Sequence, residues 1–465
     1  MNASAARRAV GRAGLRGPAI VCALVCGGAA LAGTVGGANA DSADRILRES
    51  AGLTASHPAR NDQLGWSVAI SGRTIVVGDP FRAGSGRAFV FVRPRRGWTG
   101  ALRPSATLVG PPGSIRFGWS VAVSGNTIAV GSPGHYQEPG IHPSGNAYVF
   151  VRPRSGWSGK RSPTTALIPS TLAAGDVLGD SVAVAGHTVV VGATGHDVGG
   201  RQDQGAAYVF TRPRSGWPRV RSQAATLLGS DGRAFDLFSL SLAASGHTVV
   251  VGARQHRISR LQLGQAYVFT RPRSGWSGTR HQDARLRASH RIGAFADSVA
   301  ISGRTIVAGP GSPESSGLIG DALVFTRPAG GWHGTHKETA RLRTPARATS
   351  TTCGVGGEYG AVQDYGTSIA VSGDMVVVGA GPYAIGHHHF SGKVCVFAKP
   401  ASGWAGTITQ ATTLTPSDGR EGDLFASVGV PTAVAVSGRT IVAGAPFHTV
   451  RGHRDAGKAY VFTMP

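Results

Sequence analysis

The sequence predicts an all-β fold built from seven repeated units, because three short patterns recur in a fixed order along most of its 465 residues. The first pattern is of the form SVAVSGNTIAVG. Its central glycine recurs at Gly72, Gly125, Gly186, Gly246, Gly303, Gly373 and Gly438. Copies that follow one another at intervals of about sixty residues indicate a repeat architecture.

The second pattern, of the form AYVFVRPRSGW, follows each copy of the first. Its phenylalanine recurs at Phe91, Phe150, Phe210, Phe269, Phe325, Phe397 and Phe462. A third pattern, of the form A-T-L, comes next and ends at Leu108, Leu167, Leu227, Leu286, Leu342 and Leu414. The constant order of the three patterns indicates that each unit folds in the same way.

Each pattern is typical of short β-strands. The first contains two β-branched runs joined by a tight glycine turn, which predicts a hairpin. AYVF is aromatic and β-branched, and the Arg-Pro after it ends that strand because proline cannot continue a central ladder. Four antiparallel strands in each of seven units predict a seven-bladed β-propeller. A β-solenoid is the alternative, although its repeats are usually much shorter.

The spacing of the patterns distinguishes two faces of the predicted disc. The turns between strands one and two, and between strands three and four, have constant lengths, and we call this end the uniform face. The connections from strand two to strand three, and from strand four to the next strand one, vary in length. We call their end the variable face, and we expect binding there because length variation on a rigid scaffold concentrates in functional loops.

The last unit is incomplete, which predicts how the ring closes. The chain ends at Pro465, shortly after Phe462, without a fourth strand. An isolated Ala51-Gly52-Leu53 precedes the first unit and matches the fourth-strand pattern. We therefore expect this segment to pair with the strand at 458–463 and to complete the last blade, which removes an open sheet edge.

The N-terminus is typical of a secretory signal. A basic region ends at Arg16, an apolar run follows, and small residues at 38–40 suit cleavage after Ala40. We assign 1–40 to a signal peptide, 41–50 to a linker and 51–465 to the propeller, and expect a secreted protein without a membrane span after signal removal. Arg7 and Arg8 leave the general and twin-arginine export routes both open.

Cysteine usage agrees with export. Cys22 and Cys26 leave with the signal, so the mature chain keeps Cys353 and Cys395. A pair of cysteines in an exported protein suggests one disulfide. Both lie at the variable end of one predicted blade, and we expect them to be bonded to each other.

The repeats resemble the FG-GAP repeats of the heads of integrin α-subunits. The segments RFGWSVAVSGNTIAVGSP at 116–133 and TAVAVSGRTIVAGAP at 432–446 share the Phe-Gly opening, the hairpin and the Gly-Ala-Pro close. The resemblance implies a seven-bladed propeller and extracellular binding to protein or carbohydrate, as in cell adhesion. Integrin-type hairpins often carry an acidic calcium loop. The turns here, such as Ser71-Gly72-Arg73-Thr74, lack clustered carboxylates, so we expect no calcium cofactor.

Several side chains are candidates for chemistry. The recurring tryptophan of RPRSGW suits either sugar stacking or packing between strands, and its fixed spacing favours packing. Three consecutive histidines, His387, His388 and His389, are weak candidates for a transition-metal site, since imidazole suits such ions. Asp176, Asp236 and Asp423 recur at equivalent places and are therefore interpreted as structural. No nucleophile–base arrangement or carboxylate pair stands out, which favours binding over catalysis.

The hypothesis is a secreted, non-catalytic binding module for an extracellular glycan, anionic polymer or protein. The net charge of +23 favours anionic partners. The candidate ligand-binding residues on the variable face are His135, Tyr136, Arg201, Arg254, Arg257, Arg260, Tyr383 and Arg451. We expect a monomer without a specific nucleic-acid partner. The alternative is a secreted polysaccharide hydrolase or lyase with its site at the central opening, because fold alone does not decide function.

Overall fold

The computed structural model describes most of the chain from residue 45 onward. The described residues are 45–134, 144–259, 262–290, 292, 294–311, 321–343, 365–381, 384–385, 388–389, 392–410, 412–426 and 432–465. The predicted signal peptide lies outside them, as do His135, Tyr136, Arg260, Cys353, Tyr383 and His387.

These residues form seven five-stranded sheets, which are the blades of a propeller. Blade one consists of Val68–Ser71, Thr74–Asp79, Arg87–Val92, Ala106–Leu108 and Gly159–Arg161. Blade two consists of Val121–Ser124, Thr127–Ser132, Asn146–Val151, Thr165–Leu167 and Val220–Arg221. Blade three consists of Leu178–Ala185, Thr188–Ala193, Ala206–Thr211, Ala225–Leu228 and Gly278–His281. The predicted seven-bladed β-propeller is thus confirmed.

The remaining blades follow the same order of strands. Blade four consists of Phe238–Ser245, Thr248–Ser259, Gln262–Thr270, Ala284–Leu286 and Gly334–His336. Blade five consists of Ser298–Ser302, Thr305–Gly309, Ala322–Thr326, Ala340–Arg343 and Gly406–Thr409. Blade six consists of Ile369–Ser372, Met375–Ala380, Lys393–Ala398, Thr412–Leu414 and Arg45–Leu47. Blade seven consists of Val434–Ser437, Thr440–Ala445, Lys458–Thr463, Ala51–Leu53 and Gly100–Leu102.

Two short elements lie in connections on the variable face. Arg82–Gly84 is a 3₁₀ turn between strands two and three of blade one. Ala384–Ile385 and His388–His389 form a two-stranded ladder between strands two and three of blade six.

The fifth strand corrects the expectation of purely four-stranded antiparallel blades. In blade one, Gly159–Arg161 pairs in parallel with Ala106–Leu108, although it belongs to the next repeat. We call this fifth strand the strap. The next repeat supplies the strap in the other blades as well, except in blade six, where an N-terminal strand takes its place. A three-residue polar segment has no alternating pattern long enough to predict a strand, because a strand signal needs four or more residues.

Ring closure occurs as predicted. Ala51–Leu53 pairs antiparallel with the last strand, with Ala51 opposite Val461 and Leu53 opposite Ala459. The structure adds a second contact, because Arg45–Leu47 pairs in parallel with Thr412–Leu414 of blade six. The segment 41–50, expected to be a linker, therefore contributes a strand to the propeller. Together the two N-terminal strands supply both elements that the truncated seventh repeat lacks.

Adjacent blades approach each other at the fifth residue of each strand two, which is a glycine in all seven blades. A Cβ added at Gly78 would collide with the carbonyl oxygen of Gly118 in the next blade. Equivalent collisions with the neighbouring blade would occur at Gly131, Gly192, Gly252, Gly309, Gly379 and Gly444. A serine before strand one reinforces the contact, since the Ser67 hydroxyl donates to the same Gly118 carbonyl at 2.9 Å. These glycines are therefore required by blade-to-blade packing.

A second set of contacts joins the blades on the uniform face. The backbone N–H of Gly125 donates to the Ser71 hydroxyl of the preceding blade at 3.1 Å. Equivalent bonds run to Ser124, Ser245, Ser302, Ser372 and Ser437, the last of which accepts from Gly72 and closes the circle. Blade three carries Ala185 at the serine position, so its side chain has no oxygen to accept a bond from Gly246.

The recurring tryptophans are mostly buried, as the packing interpretation predicts. Trp98, Trp157, Trp276, Trp332 and Trp404 are at most 7% exposed. They lie in hydrophobic core clusters that are each formed by two adjacent blades. Apart from Trp217, which is half-buried, these indoles are closed to a ligand.

Removing the N-terminal strands is expected to destabilise the whole ring. A variant that begins at Asn61 loses both N-terminal strands and leaves the edges of blades six and seven unpaired. It also loses Leu53, which is fully buried, and burial of a leucine contributes about 1.5–3 kcal/mol. We expect a fall in Tm of more than about 10 °C, measured by differential scanning calorimetry. A melting temperature within a few degrees of full length would contradict this.

The Ala185 position offers a stabilising substitution. Ala185→Ser should place a hydroxyl next to the Gly246 N–H and raise the free energy of unfolding by about 0.5–1 kcal/mol. Ser124→Ala removes the matching bond to Gly186 and should lower it by a similar amount. Chemical denaturation of both variants measures the two effects. Equal stabilities for both variants and the parent would show that this circle of bonds contributes nothing.

Cys395 lies fully buried in strand three of blade six and is disulfide-bonded. The bond to Cys353 stays a prediction, since Cys353 lies outside the described residues. Peptide mapping of unreduced protein should recover a peptide that joins the two cysteines. Reduction should cost about 3–4 kcal/mol of stability on the chain-entropy model. Two reactive thiols in unreduced, denatured protein would exclude the bond.

Candidate functional site

The variable face carries the candidate residues on separate blades. Arg201 lies in blade three, Arg254 and Arg257 in blade four, and Arg451 in blade seven. Arg257 and Arg451 are exposed. Arg201 donates from Nε to the Gln204 side chain at 2.5 Å. The described candidates thus form no single cluster.

Arg254 has a structural partner. Its guanidinium lies 3.1 Å from the Asp297 carboxylate of blade five, and the Asp297 side chain is 2% exposed. Removing a partner from a buried carboxylate leaves an uncompensated charge, which is strongly destabilising. Arg254 therefore joins two blades, and it is a poor position at which to test ligand binding.

The recurring aspartates organise the loops of their own blades, as the sequence predicts. The Asp236 carboxylate accepts from the Arg233 backbone N–H at 2.8 Å and contacts His256 Nδ1 at 2.7 Å. The same arrangement joins Asp176 to His196 and Asp423 to His448. In blade one, Asp62 pairs with Arg82 instead. Each pair ties the loop before strand one to the loop between strands two and three.

In blades four and seven, a second carboxylate faces the other ring nitrogen of the histidine. His256 Nε2 lies 3.7 Å from Asp231, and His448 Nε2 lies 3.5 Å from Asp418. Burial acts to raise the pKa of Asp231, but hydrogen bonds from Tyr267 and Gln265 and the Arg285 charge outweigh it and lower that pKa. Both ring nitrogens of these histidines face carboxylates, so the rings act as cross-links between loops.

Metal binding finds little support in the part of the chain that the structure describes. No group of three or more His, Cys, Asp or Glu side chains is placed there to hold an ion. For the weak candidates His388 and His389 the structure describes only the backbone ladder.

The hairpin turns do not fit the calcium implied by the integrin resemblance. In the turn after Ser71, Gly72 has a left-handed φ of 55°, and the serine hydroxyl is used by the next blade. Asp374, the acid of the blade-six turn, pairs with Lys399 at 3.2 Å. A calcium site needs six to eight oxygen ligands, which these two-residue turns do not supply.

The central opening has an aliphatic wall. Strand one of each blade lines it with residues such as Val121, Ala122 and Val123. At one end the lining contains several serines, and Asp297 is the one ionisable group among the described lining residues. Because Asp297 is paired with Arg254, this lining supplies no observation that favours the hydrolase or lyase alternative.

A basic cleft of about 920 Å³ lies between the outer parts of blades one and two. Its cations are Arg87, Lys160 and Arg219, and its lining contains no acidic residue. Arg87 is half-buried, and the other two are exposed. None of the three lies within 4 Å of a carboxylate oxygen among the described residues. The charge of Arg87 also acts on the carboxylates of Asp62 and Asp79, whereas Lys160 and Arg219 are exposed to solvent and available to attract anionic groups.

The lining of this cleft combines a polar rim with an aromatic floor. Residues 110–114, from the connection between blades one and two, form one wall. Tyr148 lies at the base and is 6% exposed, and burial raises the pKa of its hydroxyl. Ligand sites are commonly concave, with apolar surface and a few placed polar groups.

Sequence reasoning missed the cleft because its cations are dispersed. Arg87 begins strand three of blade one, Lys160 lies in the strap of repeat two, and Arg219 lies next to the strap of repeat three. The exchange of straps between blades brings them together. No local pattern marks any of the three residues.

The part of the chain that the structure describes contains no helix long and apolar enough to cross a membrane.

Comparison with solved structures finds, among others, two chains described as lactonases. The periplasmic gluconolactonase of Pseudomonas aeruginosa is 17% identical, with a TM-score of 0.46, covering 76% of this chain and 87% of its own. A putative 6-phosphogluconolactonase from Bacteroides uniformis is 11% identical, with a TM-score of 0.40, covering 73% and 82%. At these identities, the activities in those names do not transfer to this chain.

Comparison by sequence family is more specific. No curated protein sequence matches the chain. The FG-GAP repeat matches residues 47–91, 113–150, 162–210, 222–269 and 408–462, which together exceed half of the chain. The matched segments contain strands of blades one to four, six and seven. The chain therefore belongs to the FG-GAP repeat family.

Proposed function

We propose that the protein is an exported, non-catalytic binding module whose variable face binds an extracellular anionic polymer or glycan. The observation that carries the proposal is the basic cleft between blades one and two. Arg87, Lys160 and Arg219 line about 920 Å³ of open space there, and none of them forms an ion pair within 4 Å among the described residues. Carboxylates or sulfates of a ligand would pair with these cations, foremost with the exposed Lys160 and Arg219.

The rest of the molecule supports the same partner class. The chain carries 47 Lys and Arg against 24 Asp and Glu, so its long-range field attracts anions. Residues 85–86 and 109–114 of the cleft lining belong to connections on the variable face, and the rest of the lining, with Lys160 and Arg219, comes from the outer parts of the two blades. A rigid propeller holds these loops in place, which reduces the entropic cost of binding. The FG-GAP family membership agrees with a binding role, as the integrin resemblance implies.

The cleft is tested by neutralising its cations. The triple variant Arg87→Gln, Lys160→Gln, Arg219→Gln should bind polygalacturonate about tenfold more weakly than the parent, since each exposed ion pair contributes about 0.2–1 kcal/mol. Isothermal titration calorimetry measures the change. Binding by the parent should also weaken between about 20 mM and 150 mM salt, where the screening length falls to about 8 Å.

A matched control removes the same charge from the uniform face. Arg154→Gln, Arg214→Gln, Arg273→Gln neutralises three exposed arginines at equivalent repeat positions. This variant should retain most of the parent's affinity. If both triple variants bound polygalacturonate equally weakly, affinity would depend on net charge alone, and the cleft would not be the binding site. Salt-insensitive binding would also contradict it.

A further inference from the structure

Two tryptophans depart from the repeat pattern. The chain has eight, and six of them occupy the recurring position at the uniform face. Trp66 and Trp119 instead lie directly before Ser67 and Ser120, the serines that precede strand one of blades one and two. The corresponding residues of the other blades are Asp180, Leu240, Asp297, Thr367 and Thr432. Both indoles therefore lie on the variable face, at the junction that also carries the basic cleft.

These residues form a compact aromatic cluster with Phe81. The ring centroids of Trp66 and Trp119 are 4.9 Å apart, and those of Trp66 and Phe81 are 5.2 Å apart in an edge-on arrangement. All three side chains are half-buried, unlike most uniform-face tryptophans, so part of each ring reaches solvent. A partly exposed aromatic cluster within a polar face is typical of a binding surface.

A cation lies against the cluster. The guanidinium carbon of Arg116 is 5.0 Å from the Trp119 ring centroid and 5.5 Å from that of Phe81. The Trp119 indole is fixed from its other end, since Nε1–H donates to the Asp180 carboxylate at 2.9 Å. Aromatic rings and a positioned guanidinium thus share one surface.

Polar atoms without hydrogen-bond partners concentrate at the same junction. Among the described residues they include Gln63 Oε1, Trp66 Nε1, Arg116 Nε and both Asp79 carboxylate oxygens. Several uniform-face indoles share an unpaired Nε1, so Trp66 alone is not diagnostic. The Asp79 carboxylate is ion-paired with Arg82 at 3.8 Å. The Arg116 nitrogen and the Gln63 oxygen have no hydrogen-bond partner, which is unusual because buried polar groups are normally satisfied.

The aromatic cluster and the basic cleft are built from the same two connections. Phe81 and the cleft residues Ser85 and Gly86 belong to the connection 80–86, while Arg116 and Trp119 continue the loop whose residues 110–114 line the cleft. The four cluster residues do not themselves line the cleft, so the cluster is a separate surface carried by the same two connections.

We propose that Trp66, Phe81, Trp119 and Arg116 form a stacking subsite for the pyranose ring of an acidic sugar. This inference rests on the proposed function and narrows its ligand to a polysaccharide that contains uronic acids. The C–H face of a pyranose is apolar and covers an aromatic ring, while Arg116 binds a carboxylate. A cationic ligand is disfavoured, because Arg116 already occupies the ring faces that would attract it.

The experiment compares a uronic-acid probe with a probe that has charge but no ring. Wild-type protein and the variants Trp119→Phe, Trp119→Ala and Arg116→Gln are titrated with trigalacturonate and with inorganic polyphosphate by calorimetry. Trp119→Ala should bind trigalacturonate at least tenfold more weakly, and Trp119→Phe should recover most of the affinity. Arg116→Gln should lose at least fivefold on trigalacturonate. Polyphosphate binding should change less than twofold in all three variants.

Fluorescence provides a check that does not depend on the fold of the alanine variant. Trigalacturonate should change the tryptophan emission of the parent, and the double variant Trp66→Phe, Trp119→Phe should abolish that change while its melting temperature stays close to the parent's. Arg154→Gln, which changes a residue on the uniform face, is the control variant and should keep the emission change of the parent.

The outcomes separate this subsite from the cleft. Equal loss of both probes in Trp119→Ala and Arg116→Gln, or no loss of trigalacturonate in either, overturns the stacking subsite and leaves the basic cleft standing. Polyphosphate binding without any trigalacturonate binding would also overturn the stacking subsite and leave the basic cleft standing. If neither probe binds the parent, the proposed function and the subsite both fail. Stacking of a single-stranded nucleic acid in place of trigalacturonate, with the same Trp119 dependence, would also overturn the assignment to a sugar.

Discussion

The propeller depends on the approach of each blade to the backbone of the next. The glycine at the fifth position of strand two lies against a neighbouring carbonyl, and any side chain there would hold the blades apart. A serine hydroxyl bonds the same carbonyl in blades one to five. Because the contact recurs at every junction around the ring, a side chain that held two blades apart would keep the ring from closing.

Closure adds a long-range constraint to these local contacts. The first described strands, Arg45–Leu47 and Ala51–Leu53, pair with blades six and seven. They take the places that a strap and a fourth strand occupy in the complete repeats. The ends of the propeller chain are thereby held together, and the sheet edges that would otherwise invite association are paired.

The blades share a scaffold but differ in how their variable-face loops are fixed. Blades three, four and seven fasten theirs with a buried aspartate–histidine contact, as between Asp423 and His448. Blade one uses Asp62 and Arg82, which leaves Trp66 and Phe81 to meet Trp119 of blade two. The junction of blades one and two thus combines partly exposed aromatic rings with the exposed cations Lys160 and Arg219 of the basic cleft. This difference from its neighbours makes it the best candidate for ligand binding.

Much of the architecture follows from the sequence alone. Local patterns and their repetition predict the strand order, the number of blades, the two faces and the closure by Ala51–Leu53. A glycine or an aspartate that recurs at one repeat position keeps one structural role, which is why Asp176, Asp236 and Asp423 could be interpreted in advance.

The tertiary structure alone decided which side chains meet. The straps are too short for a strand pattern, yet their exchange between repeats brings Lys160 and Arg219 to the same cleft as Arg87. Arg254 is indistinguishable from a surface arginine until Asp297 of the next blade lies against it. Trp66 and Trp119 are separated by a whole repeat in sequence and come within contact distance because adjacent blades pack face to face. A repeat pattern specifies what each blade looks like, whereas the site arises where two blades differ from that pattern side by side.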